Sequence, residues 1–299
     1  MSDIDNILVG VDFSDGCRAA LSQGARLAAA NQAKLHVFHV IDVHVVDQLL
    51  AMLPGTAQVT REELVDDARK HLEKWVRDIA PTARFATVSI DVGAPARVTL
   101  QKTEEVSADL LVVGIRSSTT GFGAGALAKK AIQKAPTGVL LVNADKSTAF
   151  TRVVAGVDFS DASKLAARAA ASLASKDGAT LHLVHVFRPP WKVLHYRAPA
   201  VGASPDFQRQ YRDALTLRLE AIAREVGGKP ACHLQEGMSY GSGILECARE
   251  LNADLVVVGT QGHTNLRRVI LGSTADQVLR ETELSVLAIK PTGLSADAD

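Results

Sequence analysis

The sequence predicts an α/β protein made of two tandem doubly wound domains. Two observations carry this prediction: three stretches occur twice in the same order, and short apolar runs alternate with amphipathic helical patterns. The apolar runs are continuous rather than alternating, which is typical of parallel strands covered on both faces. Each half therefore predicts the order βαβαβαβαβ.

The duplication is visible as three repeated stretches with nearly constant spacing. They are "ILVGVDFSD" (7–15) with "VVAGVDFSD" (153–161), "KLHVFHV" (34–40) with "TLHLVHV" (180–186), and "SADLLVVGI" (107–115) with "NADLVVVGT" (252–260). The matching aspartates lie 146 positions apart and the matching glycines 145. Such a series is hard to produce by chance, so we predict domains at residues 1–146 and 151–293, joined by a linker at 144–150.

The elements of the first half follow from local patterns. Its predicted strands are "NILVGVD", "KLHVFHVID", "FATVSID", "DLLVVG" and "GVLLV". Ser14 is the candidate N-cap of the first helix, as Ser160 is in the second half. Thr60 and Glu63 have the spacing of a capping box ahead of an amphipathic helix. The apolar face of that helix is formed by Leu64, Ala68, Leu72, Trp75 and Ile79.

The matching helix of the second half is predicted to open at Ser204-Pro205 and to end at Gly227. Its apolar side consists of Phe207, Tyr211, Leu215, Ile222 and Val226. The core fold does not account for the insertions after the second strands, at 42–58 and 188–204. Their apolar character suits packing on a neighbouring domain, on a second chain, or over a ligand crevice.

Composition limits the classes of partner. Apolar residues make up 47% and charged residues 22% of the 299 residues, a globular balance. There are 33 basic and 33 acidic side chains, so we predict neither nucleic acid nor a membrane surface as a partner. The longest apolar runs are too short to span a bilayer, and the acidic N-terminus predicts no signal peptide. Three cysteines without paired spacing (Cys17, Cys232 and Cys247) favour a reducing, cytoplasmic location.

Candidate ligand-binding residues lie where predicted strands of the second half end. In open α/β sheets, ligands bind outside the carboxyl ends of the strands, where the strand order reverses. Asp158 follows the first strand of this half and Gly259 ends the fourth, where a glycine allows close backbone approach. Gly272 and Ser273 then open a helix whose free N–H groups suit a phosphate. The nine residues between Gly262 and Gly272 are enough to arch over a polyphosphate.

The spacing Gly259-x2-Gly262-x9-Gly272-Ser273 resembles the nucleotide motif of the universal stress protein family. "GVDFSD" at a first strand and "ADLVVVG" before the motif resemble that family as well. The resemblance covers both halves, and it implies a tandem member with five parallel strands per domain, ordered 3-2-1-4-5, and helices on both faces. It also implies ATP as the ligand, accompanied by Mg²⁺.

The resemblance assigns expected roles to residues of the second half. In ATP-binding members the position of Asp158 faces the nucleoside, and the backbone at Val186 contacts the adenine edge. The positions lining the ribose and phosphates correspond to Val258, Gly259 and Gly262. Those holding the phosphates correspond to Gly272, Ser273 and Thr274.

Simpler alternatives stay open for several of these residues. Asp158 could close a turn, although Ser160 is the better helix cap. Ser273 could be the N-cap of its helix, a role compatible with a phosphate contact. Arg267 and Arg268 lie in the spacer and are expected to be solvated.

No metal ligands are predicted. Two histidine pairs lie three residues apart on predicted strands: His36 with His39, and His182 with His185. Each pair points to opposite faces and cannot chelate one ion. Cys232, His233 and Cys247 lack the spacing of a zinc site.

The first half is predicted to have lost full nucleotide competence. It keeps weaker candidates at Asp12, Val40, Gly114 and Gly125. Ser117 stands where the motif has Gly262, the spacer before Gly125 has seven residues instead of nine, and Ala126 replaces Ser273. One ATP site per chain, in the second half, is expected.

These features predict a cytosolic ATP-binding stress sensor or regulator that is not an enzyme, with slow ATP hydrolysis left open. An adenylyl-transferring ligase or phosphotransferase is the alternative, but the chain lacks GxxxxGK[ST], HIGH-like and SGGxDS signatures. A scaffold without nucleotide is the third hypothesis. The resemblance further implies that the two halves pair as an internal pseudo-dimer, and a dimer of chains is compatible with it.

Overall fold

The structure, a computed structural model, describes residues 4–52, 60–115, 126–193, 204–261 and 271–291. The chain divides into two compact units, with the division between Ala149 and Phe150. In the described part of the chain, no helix is both long and apolar enough to cross a bilayer.

The first unit is a parallel sheet with helices between its strands. Its elements are β1 (Asn6–Val11), α1 (Asp15–Asn31), β2 (Lys34–Asp42), α2 (Val43–Met52), α3 (Arg61–Ile79), β3 (Phe85–Gly93), α4 (Pro95–Glu105), β4 (Leu110–Ile115), α5 (Ala126–Lys134) and β5 (Gly138–Asn143). The strand order is β3-β2-β1-β4-β5, with all neighbouring strands parallel.

The second unit repeats this arrangement. Its elements are β6 (Arg152–Gly156), α6 (Asp161–Asp177), β7 (Thr180–Phe187), α7 (Pro190–Val193), α8 (Pro205–Val226), β8 (Ala231–Glu236), α9 (Tyr240–Glu250), β9 (Leu255–Gly259), α10 (Ser273–Glu281) and β10 (Ser285–Ile289). The order is β8-β7-β6-β9-β10, again parallel. The predicted fold class and the order 3-2-1-4-5 are therefore confirmed in both units.

The core of each unit is built on its central strands. In β1 the run Ile7–Val9 is at most 1% exposed, and in β9 the run Leu255–Val257 is fully buried. Consecutive residues can all be buried only when both faces of a sheet are covered, which explains the continuous apolar runs. The edge strands β3 and β8 are mostly half-buried.

The predicted helix starts are confirmed. The Ser14 and Ser160 hydroxyls accept hydrogen bonds from backbone N–H groups of the first turns of α1 and α6. Thr60 and Glu63 form the reciprocal capping box of α3. Helix α8 begins after the Ser204 cap and ends at Gly227, the glycine predicted to stop it.

Two details of the predicted helix faces differ from the structure. Trp75 is only half-buried, and the fully covered residues of α3 are Leu72 and Val76. In α8 the buried residues include Leu219, which the predicted apolar side left out. The short helices α2 and α7 lie in the two insertions, and residues 53–59 and 194–203 lie outside the described part.

Candidate functional site

A crevice lies at the switch point of the second unit, where the chain leaves β6 toward β7 on one side and returns to β9 on the other. It forms a cavity of about 530 Å³. This volume falls in the range of small-molecule sites, and the position is the one where α/β sheets bind ligands.

Seven residues that the sequence singled out line this one cavity. They are Asp158, Val186, Val258, Gly259, Gly272, Ser273 and Thr274. They come from four separate segments of the chain, so the fold brings together what the sequence only spaces. The remaining motif residue, Gly262, lies outside the described residues, as do Arg267 and Arg268. The roles of all these residues as nucleotide contacts stay predictions.

Asp158 both shapes a turn and lines the crevice. Its Oδ1 accepts a hydrogen bond from the Ser160 backbone N–H at 3.0 Å and another from the Ser160 hydroxyl at 2.5 Å. The Ser160 hydroxyl in turn accepts from the Ser163 backbone N–H at 3.2 Å. The turn and the cap are therefore one hydrogen-bonded unit, and the two alternatives for Asp158 are compatible.

Phe159, between these residues, has a strained backbone. Its φ of 67° lies in the left-handed region, which costs a non-glycine residue about 1–2 kcal/mol. The strained turn directs its ring to the α8 side of the sheet. There the ring centroid lies 4.3 Å from that of His185 and 4.1 Å from the Arg218 Cζ.

His185 is held in one orientation at the cavity wall. Its Nδ1–H donates to the Val157 carbonyl oxygen, with 2.7 Å between the heavy atoms. Burial lowers the pKa of His185 below 6.5, and the Arg218 charge acts in the same direction, while the Val157 hydrogen bond and Asp158 oppose it. The ring is therefore neutral at pH 7.

Gly259 ends β9 against the first turn of α6. A Cβ at this position would lie 3.0 Å from both the carbonyl carbon and the oxygen of Ala162. This packing constraint is one that the sequence reasoning did not consider, because it assigned the glycine to ligand approach. Gly259 lines the crevice and also lets α6 approach the sheet.

The start of α10 forms one edge of the crevice. Gly272 is the N-cap, with φ −57° and ψ 144°, and Ser273 is the first helical residue. The alternative that Ser273 caps this helix is therefore wrong: the chain turns into the helix one residue earlier, at Gly272, which has no side chain to form a cap bond. The N–H groups of a first helical turn have no partner within the helix, so they can serve a bound anion.

Several further lining residues were missed as site residues, among them Tyr211, Arg218 and Tyr240. Tyr211, Leu215 and Arg218 follow the i, i+4, i+7 spacing of one helix face. A charged residue on this otherwise apolar and aromatic helix face could have identified Arg218 as a site residue from the sequence. Tyr240 begins α9, four residues after β8 ends at Glu236, and the Arg188 Cζ lies 5.2 Å from its ring centroid.

The first unit fills the corresponding region differently. Phe13 has the same strained φ, 64°, and packs against His39 with 4.6 Å between ring centroids. The rings of His71 and Trp75 also pack on Phe13, with 4.8 and 5.7 Å between ring centroids, whereas the second unit has an arginine on the matching phenylalanine. Cys17 replaces Ser163, and burial raises the pKa of its thiol to about 12.

The weaker candidates of the first unit have local explanations where they are described. Asp12 Oδ1 accepts from the Ser14 backbone N–H, which closes the same turn as in the second unit. A Cβ on Gly114 would lie 2.2 Å from the Gly16 carbonyl carbon, so helix packing alone demands a glycine there. Val40 is half-buried near the end of β2. Ser117 and Gly125 lie outside the described residues, so the proposed loss of nucleotide competence stays a prediction.

The fold and the crevice define a tandem, doubly wound α/β protein with its ligand cavity at a switch point. The profile of the universal stress protein family matches the chain twice, at residues 3–143 and 149–290. The chain therefore belongs to the universal stress protein family, as a tandem member.

Relatives and solved structures resemble the chain over most of its length. A universal stress protein of Mycolicibacterium smegmatis is 27% identical over 95% of this chain and 97% of its own. The crystal structure of a universal stress protein from Archaeoglobus fulgidus covers 97% of this chain and 99% of its own, at 20% identity and a TM-score of 0.66. A universal stress protein solved in complex with cAMP covers 48% of this chain and 98% of its own, at 24% identity and a TM-score of 0.35.

Proposed function

We propose that this protein is a cytoplasmic, ATP-binding stress sensor or regulator whose nucleotide binds in the second unit. One observation carries the proposal: residues that the motif predicts, from four segments, line a single cavity of about 530 Å³ at the switch point. Seven residues predicted from the sequence would not be expected to line one cavity by chance.

The chemistry of the cavity suits the parts of an adenine nucleotide. Val186, Tyr240 and Ile244 supply apolar and aromatic surface for a base. Ser273 and Thr274 offer hydroxyls and first-turn N–H groups for phosphates. Mg²⁺ prefers phosphate oxygens and water as ligands, so it fits this site as part of the nucleotide complex.

We propose binding rather than catalysis because the ionisable groups of the described lining are engaged in the structure itself. Asp158 accepts two hydrogen bonds from Ser160, and His185 donates to Val157 and packs on Phe159. Neither is arranged as a base beside a nucleophile. Slow ATP hydrolysis is compatible with this arrangement, and an adenylyl-transferring enzyme is the alternative to be tested against it.

A charge reversal at the start of α10 tests the proposal. Ser273→Asp places a carboxylate at the first helical residue, where it favours the helix but repels a phosphate. The matched control is Ala126→Asp, because Ala126 begins α5 as Ser273 begins α10. We expect Ser273→Asp to weaken ATP binding at least about tenfold in calorimetry, and Ala126→Asp to bind as wild type.

Two results would contradict this assignment. Wild-type ATP affinity in Ser273→Asp would show that the phosphates do not bind at the start of α10. Equal losses in both variants would place binding in both units. Mass spectrometry of the ligand that co-purifies under native conditions identifies the nucleotide independently.

The oligomeric state belongs to the same proposal. Two tandem family domains are compatible with an internal pseudo-dimer, and the sequence leaves a further dimer of chains open. Light scattering of the full chain measures directly whether two chains associate. A mass of two chains supports it, and a mass of one chain at micromolar concentration refutes it.

A further inference from the structure

Two histidines meet on the sheet of the second unit, nearer the amino ends of the strands than the crevice. The Nδ1 of His182 lies 3.0 Å from the Nε2 of His233, and their ring centroids are 5.1 Å apart. Both side chains are half-buried. Neither lines the crevice, so the proposed nucleotide site does not account for the pair.

The strand register explains why they meet. Val184 of β7 is paired with His233 of β8, and His182 precedes Val184 by two residues. Side chains two apart in a strand share a face, so the two imidazoles are diagonal neighbours across β7 and β8. Because β8 is the edge strand of this sheet, solvent can reach the pair from one side.

The distance between the two nitrogens matches a shared metal ion. With metal–nitrogen bonds of about 2.0–2.1 Å, two imidazoles on one ion are separated by about 2.9 Å at a right angle and about 3.3 Å at the tetrahedral angle. The 3.0 Å separation falls between these values. The backbone therefore already holds the two donors at chelating distance.

We propose that His182 and His233 form a binding site for a divalent transition-metal ion of the Zn²⁺ or Cu²⁺ class. Imidazole nitrogen is a preferred ligand of both ions. Among the residues that the structure describes, no three His, Cys, Asp or Glu side chains group as metal ligands, so water completes the coordination.

The protonation chemistry balances without an added reactant. Burial lowers the pKa of His182 and of His233 below 6.5, so both rings are neutral at pH 7. In the hydrogen-bonded pair one facing nitrogen carries a proton and the other a lone pair. On metal binding that proton passes through solvent to the other nitrogen of the same ring. Both facing nitrogens then donate lone pairs, and no net proton is released.

Arg152 sets a limit on the affinity. Its charge contributes to the lowered pKa of His182, so it also disfavours a bound cation. Its Nη1 donates to the Asn252 carbonyl oxygen, with 3.3 Å between the heavy atoms. In the first unit Asn6 occupies the equivalent position, 146 residues earlier. Arg152→Asn should therefore strengthen metal binding.

The first unit also supplies a matched control for the pair. His36 and Thr87 stand 146 positions before His182 and His233. The His36 Nδ1 and the Thr87 Oγ1 are hydrogen-bonded at 2.9 Å. His36 and Thr87 are directly opposite in register, whereas His182 and His233 are diagonal. His233→Thr therefore gives a His–Thr contact related to the one in the first unit, and it removes one metal ligand. The reverse change, Thr87→His, places a second imidazole directly opposite His36 in the first unit.

Calorimetry with Zn²⁺ on the full chain, freed of metal by a chelator and held at pH 7.5, tests the site. We expect one site in wild type, at least tenfold weaker binding in His233→Thr, and a second site in Thr87→His. His44→Thr, the same substitution at an exposed histidine away from the pair, should bind as wild type. Equal Zn²⁺ affinity in wild type and His233→Thr overturns the proposal.

Electron paramagnetic resonance with Cu²⁺ gives a second readout on the wild type alone, which decides the question if His233→Thr does not fold. One Cu²⁺ per chain with hyperfine splitting from two equivalent imidazole nitrogens supports the site. A spectrum without two such nitrogens overturns it.

Discussion

Replacing Gly114 by alanine should destabilise the protein far more than the same change at its counterpart, Gly259. A Cβ on Gly114 would lie 2.2 Å from the carbonyl carbon of Gly16 and 2.4 Å from its oxygen. A Cβ on Gly259 would lie 3.0 Å from the same two atoms of Ala162. In both cases the obstacle is helix backbone, which cannot move aside as a flexible side chain can.

The magnitudes follow from these distances. Carbon atoms in ordinary contact are about 3.5–4.0 Å apart, so α1 must withdraw by more than about 1 Å and α6 by about 0.5 Å. Overpacking a core costs about 1–3 kcal/mol. Gly114→Ala should lower the free energy of unfolding by about 3 kcal/mol or more, and Gly259→Ala by about 1 kcal/mol. With a urea slope of about 2 kcal/mol/M, the midpoints fall by about 1.5 M and about 0.5 M.

Tryptophan fluorescence can follow each unit separately. The chain has two tryptophans, Trp75 in the first unit and Trp191 in the second. Gly114→Ala is measured in a Trp191→Phe background and Gly259→Ala in a Trp75→Phe background, so that each variant is reported by its own unit. The two single-tryptophan parents provide the reference midpoints.

Binding separates packing from ligand approach at Gly259. The added methyl group points at α6, so Gly259→Ala should keep wild-type affinity for ATP. Equal midpoint shifts for Gly114→Ala and Gly259→Ala would refute the packing argument. Loss of ATP binding in Gly259→Ala without any midpoint shift would show that the ligand, and not the helix, requires this glycine.

Four further predictions concern the crevice. Arg218→Gln should weaken ATP binding by about 2- to 5-fold at low salt and less at high salt, because it removes one exposed cation; a titration without any salt effect contradicts this. Since the folded state holds the pKa of His185 below 6.5, the unfolding free energy should fall as pH decreases from about 6.5, and His185→Asn should flatten that dependence in thermal melts. ATP should outcompete GTP, since the base edge is expected at the Val186 backbone, and equal affinities in a competition titration would contradict this. Turnover of ATP should stay below about 1 per second, and faster turnover would contradict a binding role.

Local patterns were sufficient for the elements of this fold. Strand runs and caps such as Ser14 depend on neighbouring residues, so the sequence displays them directly. The alternative that Ser273 caps α10 arose because the actual cap, Gly272, has no side chain and so leaves no capping signature. The strand order 3-2-1-4-5 came from the resemblance to a family, because periodicity does not show which strands are neighbours.

The site was only partly predictable, because its remaining features depend on contacts between distant segments. His182 and His233 are 51 positions apart, and only the register of β7 and β8 brings them together. Gly114 and Gly259 are the same residue at equivalent positions, yet their distances to the following helix differ by almost 1 Å. Arg218 enters the crevice because of how α8 lies on the sheet.

The pairing of β6 with β9 has a consequence for the order in which the protein acquires its parts. Arg152 and Asp254 are hydrogen-bonded although 102 positions separate them. Closing a loop of that length costs of the order of 4 kcal/mol in chain entropy, so this contact forms late, after synthesis has passed residue 254. Because the crevice lies between the same two strands, it comes into being with that contact. A ligand in the crevice therefore stabilises the late-forming contact between Arg152 and Asp254 and should slow the unfolding of the second unit.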